Sequence, residues 1–291
     1  MSAPEARCVW GAGAILGEGP LWSPSHNALY WVDVKGQRLQ RYDLETGAQH
    51  GWPMPQRIGW VVERAAGGLV AGFKSGFAFL DQQTLEITPI VDPEPELPGN
   101  RLNDAKVDPW GRIWAGTMDD AETSPTGALY RLDPDLHCSR WDEGYVVSNG
   151  PAFSPDGKTL YHTSSATREI FAFDLAADGS LSNKRLFLHF RPEDGYPDGM
   201  TTDAEGGLWV AHWEGWRVSR FHPDGTLDRQ VPIPVSRVTS ATFAGSELNR
   251  LFVTTASIGL SETERREQPL AGGLFELRPG VTGLPPYRFQ G

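Results

Sequence analysis

The chain has 291 residues and a formal net charge of −11, and its basic residues form no stripe along the sequence. This charge argues against nucleic acid or an anionic membrane surface as a partner. The 33 glycines, 23 prolines and 11 tryptophans are typical of a β protein with many turns. No apolar run reaches the length needed to cross a bilayer, so no membrane-spanning segment is predicted.

The N-terminus and the cysteines indicate the compartment. Residues 1–14 lack the basic region followed by an apolar core that marks a secretory signal. The two cysteines, Cys8 and Cys138, form no CxxC motif and are interpreted as free thiols in a reducing environment. A cytoplasmic protein is therefore expected.

Taken in chain order, the sequence repeats one pattern six times. Each copy begins with a polar residue or glycine, continues through a short apolar run and a turn, and ends in a second, aromatic-bearing strand. The clear copies are GEGPLWSPSHNALYWVD (17–33), NDAKVDPWGRIWAGT (103–117), NGPAFSPDGKTLYHTS (149–164) and DGMTTDAEGGLWVAH (198–212), and the fainter ones lie at 59–73 and 240–255.

Two further strands complete each copy. A third alternating strand is predicted at 39–44, 76–81, 128–134, 170–175, 217–225 and 273–279. A fourth precedes the next copy, as in RLFLHF (185–190) and RQVPIPV (229–235). Four antiparallel strands in a repeat of about 40 to 50 residues predict an all-β fold, a six-bladed β-propeller forming one domain over 1–291. A solenoid would need capping repeats, and the chain ends show none.

The first strand of each propeller blade lines the central channel, so the residues that begin these strands should meet at one mouth of the channel. We take these residues to be Glu18, Gly59, Asn103, Asn149, Asp198 and Ser240. Asn and Asp are common in turns, but four oxygen-bearing side chains at equivalent places predict a shared site. Two carboxylates in such a ring repel each other unless a cation lies between them. Oxygen ligands suit Ca²⁺, Mg²⁺, Mn²⁺ and Fe²⁺, and a Zn²⁺ ion with oxygen ligands is a further alternative.

Four motifs carry a family resemblance. They are LGEGPLW (16–22), RLNDAKVDPWGRIWAGTM (101–118), SNGPAFSPDGKTLYHT (148–163) and YPDGM (196–200). With these motifs in order, essentially the whole chain resembles the SMP-30/gluconolactonase/luciferin-regenerating-enzyme-like family of six-bladed propellers. Within that family it most resembles the bacterial sugar lactonases of the xylonolactonase and arabinolactonase type.

The resemblance implies a ligand set and roles for the site residues. One divalent metal ion (Fe²⁺, Ca²⁺, Mn²⁺ or Zn²⁺) is expected to be held by Glu18, Asn149 and Asp198, with Asp198 also the general base. Arg101 and Asn103 are expected to face the substrate. Some relatives place a sugar-contacting glutamate after the GTM motif, and Asp120 is our candidate for that place, with the neighbouring Ala121 as the other position.

The predicted function is metal-dependent hydrolysis of a sugar lactone to the aldonic acid. The expected substrate is a small-molecule pentonolactone, such as xylonolactone or arabinonolactone, or gluconolactone. Two alternatives stay open: another metal-dependent ester or phosphotriester hydrolase on the same site, and a non-enzymatic calcium-binding regulatory propeller. A monomer is expected, because a closed propeller needs no partner to cover a sheet edge.

Several further features are given structural interpretations. Asp104 and Asp108 are assigned to turns. The tryptophans of the second strands, Trp31, Trp114 and Trp209, are predicted to pack between blades. MDDAETSPTG (118–127) is a candidate lid over the channel mouth, and SETERREQ (261–268) is either a short surface helix or part of that mouth.

Overall fold

The computed structural model describes residues 5–291, and it consists of six four-stranded antiparallel sheets. The first strands of successive sheets contact one another, and the first strand of the sixth sheet contacts that of the first, so the sheets close into a ring. This architecture is a six-bladed β-propeller, which confirms the predicted fold class. The first four residues of the predicted 1–291 domain lie outside the described range.

Each blade runs outward from the strand that lines the axis. The inner strands are β2 (Gly17–Ser23), β6 (Ile58–Glu63), β10 (Asn100–Val107), β14 (Ser148–Phe153), β18 (Tyr196–Thr202) and β22 (Val238–Ala244). The second strands are β3 (Ala28–Asp33), β7 (Leu69–Phe73), β11 (Ile113–Asp119), β15 (Thr159–Ser164), β19 (Leu208–Trp213) and β23 (Arg250–Thr255). The third strands are β4 (Arg38–Asp43), β8 (Gly76–Leu80), β12 (Gly127–Leu132), β16 (Glu169–Leu175), β20 (Arg217–Phe221) and β24 (Leu274–Leu277). The outer strands are β5 (Gln49–Pro53), β9 (Ile87–Val91), β13 (Cys138–Tyr145), β17 (Leu181–His189), β21 (Leu227–Pro232) and, for the sixth blade, β1 (Arg7–Trp10).

The sixth blade is assembled from both ends of the chain. Its outer strand, β1, pairs antiparallel with β24, so that Cys8 lies opposite Phe275. This pairing joins the N-terminal segment to the last blade, so the backbone hydrogen bonds between β1 and β24 close the ring between the first and last repeats. The sequence repeats predicted an outer strand before each new copy but did not reveal that the strand of the sixth blade precedes the first copy.

The C-terminal tail crosses the face of the propeller on which the inner strands end. The backbone N–H of Phe289 donates to Glu63, and that of Gln290 donates to Gly111. The ring of Phe289 is fully buried in a cluster with β10 and β11 side chains. Tail residues also line a small cavity of about 100 Å³ with Asp104 and Lys106 of the inner strands. The tail therefore covers the end of the channel away from the strand entries.

The three second-strand tryptophans are buried between blades, which confirms their predicted packing role. In the fifth blade the indole N–H of Trp209 donates to Asp203 at 2.8 Å, and the guanidinium of Arg220 donates to the same carboxylate at 2.6 Å. The third blade repeats this arrangement on the carboxylate of Asp108, which accepts from Trp114 and Arg112. All three residues of each group belong to one blade, and we call the groups Asp203–Trp209–Arg220 and Asp108–Trp114–Arg112 the tryptophan triads.

The single α-helix of the described residues, α1 (Glu262–Glu267), is exposed on all sides. The hydroxyl of Ser261 caps it by accepting from the backbone N–H of Glu264. The segment 261–268 is thus a short surface helix. No helix of residues 5–291 is long and apolar enough to cross a membrane. Cys8 and Cys138 are both free and half-buried.

Candidate metal and substrate site

The three predicted metal ligands share a local backbone structure. Each lies where its inner strand loses register with the second strand, between Glu18 and Leu21, between Asn149 and Ala152, and just after Pro197. Such β-bulges re-aim side chains beside active sites. Here they occur at the entries of the inner strands, where the side chains reach the channel mouth.

A glycine follows each of these three ligands, and each glycine has a physical reason. Gly19 and Gly150 have φ of 53° and 74°, in the left-handed region that glycine adopts without strain. Gly199 is packed so tightly that an added Cβ would lie 2.3 Å from the Ser240 hydroxyl oxygen. The dipeptides Glu-Gly, Asn-Gly and Asp-Gly are therefore the local sequence signal of the bulged entries.

The structure brings the predicted ligands together. Glu18, Asn149 and Asp198 line one cavity of about 550 Å³ at the channel mouth, and Arg101 and Asn103 line the same cavity. All five side chains are almost completely buried from bulk solvent. Five of the six residues proposed from the sequence for this site thus meet around one space.

A chain of hydrogen bonds orients the two amides. The Nη1 group of Arg101 donates to Oδ1 of Asn103 at 2.6 Å, and Nδ2 of Asn103 donates to Oδ1 of Asn149 at 2.9 Å. Nδ2 of Asn149 in turn donates to the hydroxyl of Ser165 at 2.9 Å. An amide oxygen has two lone pairs, so Oδ1 of Asn149 accepts from Asn103 and keeps one lone pair for a ligand.

The two carboxylates form no ion pair, although the charge of Arg101 acts to lower the pKa of Glu18 against the larger effect of burial. Glu18 and Asp198 are each 6% exposed, and neither forms an ion pair within residues 5–291. Burial, followed by the charge of Asp104, raises the pKa of Glu18 to about 8. Burial, followed by the charges of Glu18 and Asp104, raises the pKa of Asp198 well above its ordinary value. Two buried carboxylates that disfavour each other's ionised form fit a divalent cation.

The residue types around the cavity limit which ligands a bound metal ion would have. In residues 5–291, no group of three or more His, Cys, Asp or Glu side chains is placed to hold a metal ion. A cation bound between Glu18 and Asp198 would therefore complete its shell with amide oxygen, water or substrate. Hard cations accept such mixed oxygen shells.

The assignment of Asp104 to a turn is wrong. Asp104 is a buried residue of the inner strand β10, and its carboxylate accepts from the backbone N–H of Gly150 at 3.0 Å and of Ala105 at 2.8 Å. Burial raises its pKa to about 6. Because it follows the bulge at Asn103, it lies deeper in the channel than the proposed ligands. Asp108 does serve a turn, accepting from the N–H groups of the β10–β11 connection.

Asp120 lies outside the cavity lining and holds three basic side chains. Its carboxylate pairs with Nε of Arg101 at 2.9 Å, with Nζ of Lys35 at 3.2 Å, and with Arg57. Glu122, two residues later in the candidate lid segment, does line the cavity. Sequence reasoning missed Glu122, because the direction of a side chain in this loop depends on contacts with the first and second blades.

Comparison with known proteins agrees with this geometry. Residues 16–257 match the sequence model of the SMP-30/Gluconolactonase/LRE-like region. The chain belongs to this family. The L-arabinolactonase of Azospirillum brasilense is 37% identical over 293 residues, which cover 99% of this chain and 97% of that protein. The regucalcin of Danio rerio is 37% identical over 296 residues, the full length of both chains.

Solved structures agree as well. The crystal structure of a calcium-binding protein, regucalcin from Agrobacterium tumefaciens, superposes with a TM-score of 0.95 at 25% identity, covering all of both chains. The chain is therefore similar both to a protein named as a sugar lactonase and to one named as a calcium-binding protein. The resemblance inferred from the four motifs is confirmed.

Proposed function

We propose that this protein is a divalent-metal-dependent sugar lactonase that opens an aldonolactone to the aldonic acid. The substrate is a pentonolactone, such as xylonolactone or arabinonolactone, or gluconolactone. One observation carries the proposal: the carboxylates of Glu18 and Asp198 are buried, without an ion pair to any basic side chain of the described residues, at the wall of a cavity that Arg101 also lines. The similarity to the Azospirillum arabinolactonase over nearly the whole chain supports it.

Glu18, Asp198 and the free lone pair of Asn149 would hold the ion, which is Fe²⁺, Ca²⁺, Mn²⁺ or Zn²⁺. The two carboxylates balance its charge. When bound, a divalent ion supplies Lewis-acid stabilisation of the negative charge that develops on the lactone carbonyl oxygen. Metal binding requires both carboxylates to be ionised, so it releases the protons that burial favours in the metal-free site.

Asp198 is assigned as the general base. Its carboxylate accepts a proton from the water that attacks the lactone carbonyl carbon. As the ring C–O bond breaks, Asp198 returns this proton to the departing ring oxygen, which becomes a hydroxyl of the open chain. The product is the aldonic acid, and Asp198 is again a carboxylate.

Arg101 is assigned as the residue that orients the substrate. Its Nε and Nη1 groups donate to Asp120, Asn103 and the Leu102 carbonyl, whereas Nη2 donates to no described residue. Burial, the largest influence, lowers the pKa of Arg101 to about 10, so it stays charged near neutral pH. The Nη2 group is therefore available to a sugar hydroxyl or ring oxygen. Asp120 holds Arg101 in place, and Glu122 is the candidate acceptor for sugar hydroxyls.

The test is a pH-stat assay with D-xylono-, L-arabinono- and D-gluconolactone. The protein is stripped of metal and then reconstituted with Fe²⁺, Mn²⁺, Zn²⁺ or Ca²⁺. We expect acid release above the spontaneous rate that disappears with chelator and returns with at least one ion. No acceleration with any ion would contradict the proposal. Faster hydrolysis of a phosphotriester than of any lactone would assign the site to a different ester.

A second candidate is a calcium-binding propeller that does not hydrolyse lactones. The all-oxygen donor set and the similarity to the calcium-binding regucalcin favour it. Calorimetric titration with Ca²⁺ separates the two candidates when combined with the pH-stat assay. Tight Ca²⁺ binding without hydrolysis of the three lactones would support this second function.

A further inference from the structure

Three blades begin with an arginine at the same register position. The inner-strand entries read RIGW from Arg57, RLND from Arg101 and RVTS from Arg237. In each, the register shift follows the next residue of the strand. The bulged residue of the sixth blade is consequently Thr239, not Ser240 as expected from the repeat, and Arg237 is the structural equivalent of Arg101.

Two of these arginines lie on opposite sides of the ring. In a closed ring of six blades, the third and the sixth lie opposite each other. Arg101 belongs to the third blade and Arg237 to the sixth, and both line the cavity of about 550 Å³. The cavity thus has a guanidinium on each of two facing walls, with the proposed metal ligands of the first, fourth and fifth blades between them.

The three equivalent arginines differ in their partners. Arg57 and Arg101 both pair with Asp120. The guanidinium of Arg237 donates a hydrogen bond to no residue of the described range 5–291, and its Nε is buried without a partner. Its nearest carboxylate, that of Glu214, lies 3.7 Å from Nη2, which is beyond hydrogen-bond distance.

The guanidinium of Arg237 is nevertheless held in position. Its central carbon lies 5.0 Å from the centroid of the Trp213 ring, and its side chain is only 13% exposed. Gly259 makes room for it, because a Cβ there would lie 2.6 Å from Nη1. Trp213, Glu214 and Gly259 all line the cavity as well. The Nε of Arg237 is sealed inside the protein, but Nη1 and Nη2 are not fully buried and donate to no described residue. These two groups are therefore free to donate to an acceptor that enters the cavity, and a charged donor without an acceptor is costly.

We infer that Arg237 and Trp213 form a second substrate subsite, which binds an oxygen-bearing exocyclic substituent of the lactone. This inference rests on the proposed lactonase function. The volume of the cavity lies in the range that accommodates drug-sized ligands, so a lactone ring beside Asp198 and Arg101 leaves room for a substituent to reach the opposite wall. The acceptor is a hydroxyl or a carboxylate oxygen, because both match the guanidinium donors.

The test compares three 1,4-lactones that differ outside the ring. D-Erythronolactone has no exocyclic carbon, D-galactono-1,4-lactone carries a diol, and D-glucaro-1,4-lactone carries a hydroxyl and a carboxylate. For Arg237→Ala we expect KM to rise by about tenfold or more for the two substituted lactones and to stay unchanged for D-erythronolactone. A larger increase for the glucarolactone identifies a carboxylate acceptor, and equal increases identify a hydroxyl.

The matched control is Arg168→Ala. Arg168 also stacks on an aromatic ring, that of Tyr196 at 3.9 Å, and its Nε is also buried without a partner. It does not line the cavity. We expect this variant to have the KM values of the wild type for all three lactones. Equal KM increases for all three lactones in Arg237→Ala, or none, would overturn the subsite.

A binding measurement separates failure of the subsite from failure of the lactonase function. Calorimetry with D-galactonate and D-erythronate measures affinity without turnover, on the metal-loaded wild type and on Arg237→Ala and Arg237→Lys. If the wild type opens no lactone, the lactonase proposal fails, but a selective loss of about tenfold in galactonate affinity still supports the subsite. Equal affinity of wild type and both variants for galactonate would overturn it.

Discussion

Buried carboxylates occur in two regions of this propeller, and the two regions treat them differently. In the tryptophan triads, Asp203 and Asp108 each accept from a tryptophan indole, an arginine guanidinium and backbone N–H groups. At the channel mouth, Glu18 and Asp198 are almost as deeply buried, but neither forms an ion pair with a basic side chain of the described residues. The chain thus pairs its buried carboxylates with arginines within the blades. The two carboxylates of the mouth are buried without such pairing, at a cost in stability that a bound cation would offset.

The largest effect on activity is expected from a substitution at the channel mouth that does not weaken the fold. Asp198→Asn at saturating metal is expected to lower kcat/KM by about 10² to 10⁴-fold, the usual contribution of a general base. The melting temperature of the metal-free variant should not fall, because the neutral amide avoids the cost of burying an ionisable carboxylate beside Glu18. The pH-stat assay and calorimetry measure the two quantities. Normal turnover of this variant would contradict the base assignment.

The second prediction concerns a carboxylate that the protein pairs, that of Asp203 in a tryptophan triad. Asp203→Asn leaves the guanidinium of Arg220 without its principal buried partner, so we expect the free energy of unfolding to fall by about 3 kcal/mol. Urea denaturation followed by tryptophan fluorescence measures it. The lactone-opening rate per folded molecule should be that of the wild type. An undiminished stability would show that Asp228 and Glu205, which also contact Arg220, are sufficient partners.

The comparison also predicts an unusual pH dependence for the metal-free protein. Burial raises the pKa of Glu18 to about 8 in the folded state, whereas a glutamate in an unfolded chain titrates at about pH 4.3. Between these values the folded state retains a proton that the unfolded state has lost, so stability falls as the pH rises and levels off above about 8. We expect the melting temperature with chelator to drop by several degrees over this window.

A saturating divalent ion is expected to remove or reverse this trend, because it binds the ionised carboxylates. Differential scanning calorimetry between pH 5 and 8.5, with chelator and with the ion, is the measurement. A melting temperature of the metal-free protein that rises across this range would indicate that Glu18 is already ionised and paired.

The smallest effect is expected from a substitution of the other buried carboxylate at the channel mouth, that of Glu18. Glu18→Gln keeps the shape of the side chain and removes one of the two charges, so we expect metal affinity to fall by about tenfold or more. Activity should return at a sufficiently high metal concentration. The metal-free variant should also lose the part of the pH dependence that Glu18 contributes, whereas Asp198 and Asp104, whose pKa values are also raised, keep theirs. Unchanged metal affinity in a competition titration would remove Glu18 from the ligand set.

Much of the site was predictable from the sequence because its signals are local. Glu18, Asn149 and Asp198 each precede a glycine at the start of a repeat, and the repeats order the blades around the ring. The regular alternation of strands and turns depends on residues that are close together in the chain. The six-bladed fold, and the meeting of the proposed ligands with Arg101 and Asn103 around one cavity, follow from that periodicity.

The rest depends on contacts between distant segments. Whether Asp120 faces the cavity is decided by Lys35 and Arg57 from two other blades, whose basic groups draw its carboxylate away. Asp104 is a channel residue because the bulge at Asn103 shifts the register of its strand. The guanidinium of Arg237 reaches the cavity because Trp213 supports it and Gly259 leaves it space.

The sequence by itself determined the number of blades, the strand order within the repeats and the identity of five of the six side chains at the strand entries. These properties are set by alternation, turn chemistry and spacing along the chain. Only the tertiary structure decided which polar groups are neutralised by protein partners and which are left for a ligand. That distinction depends on charges and donors brought together from separate blades, and no local pattern encodes their distances.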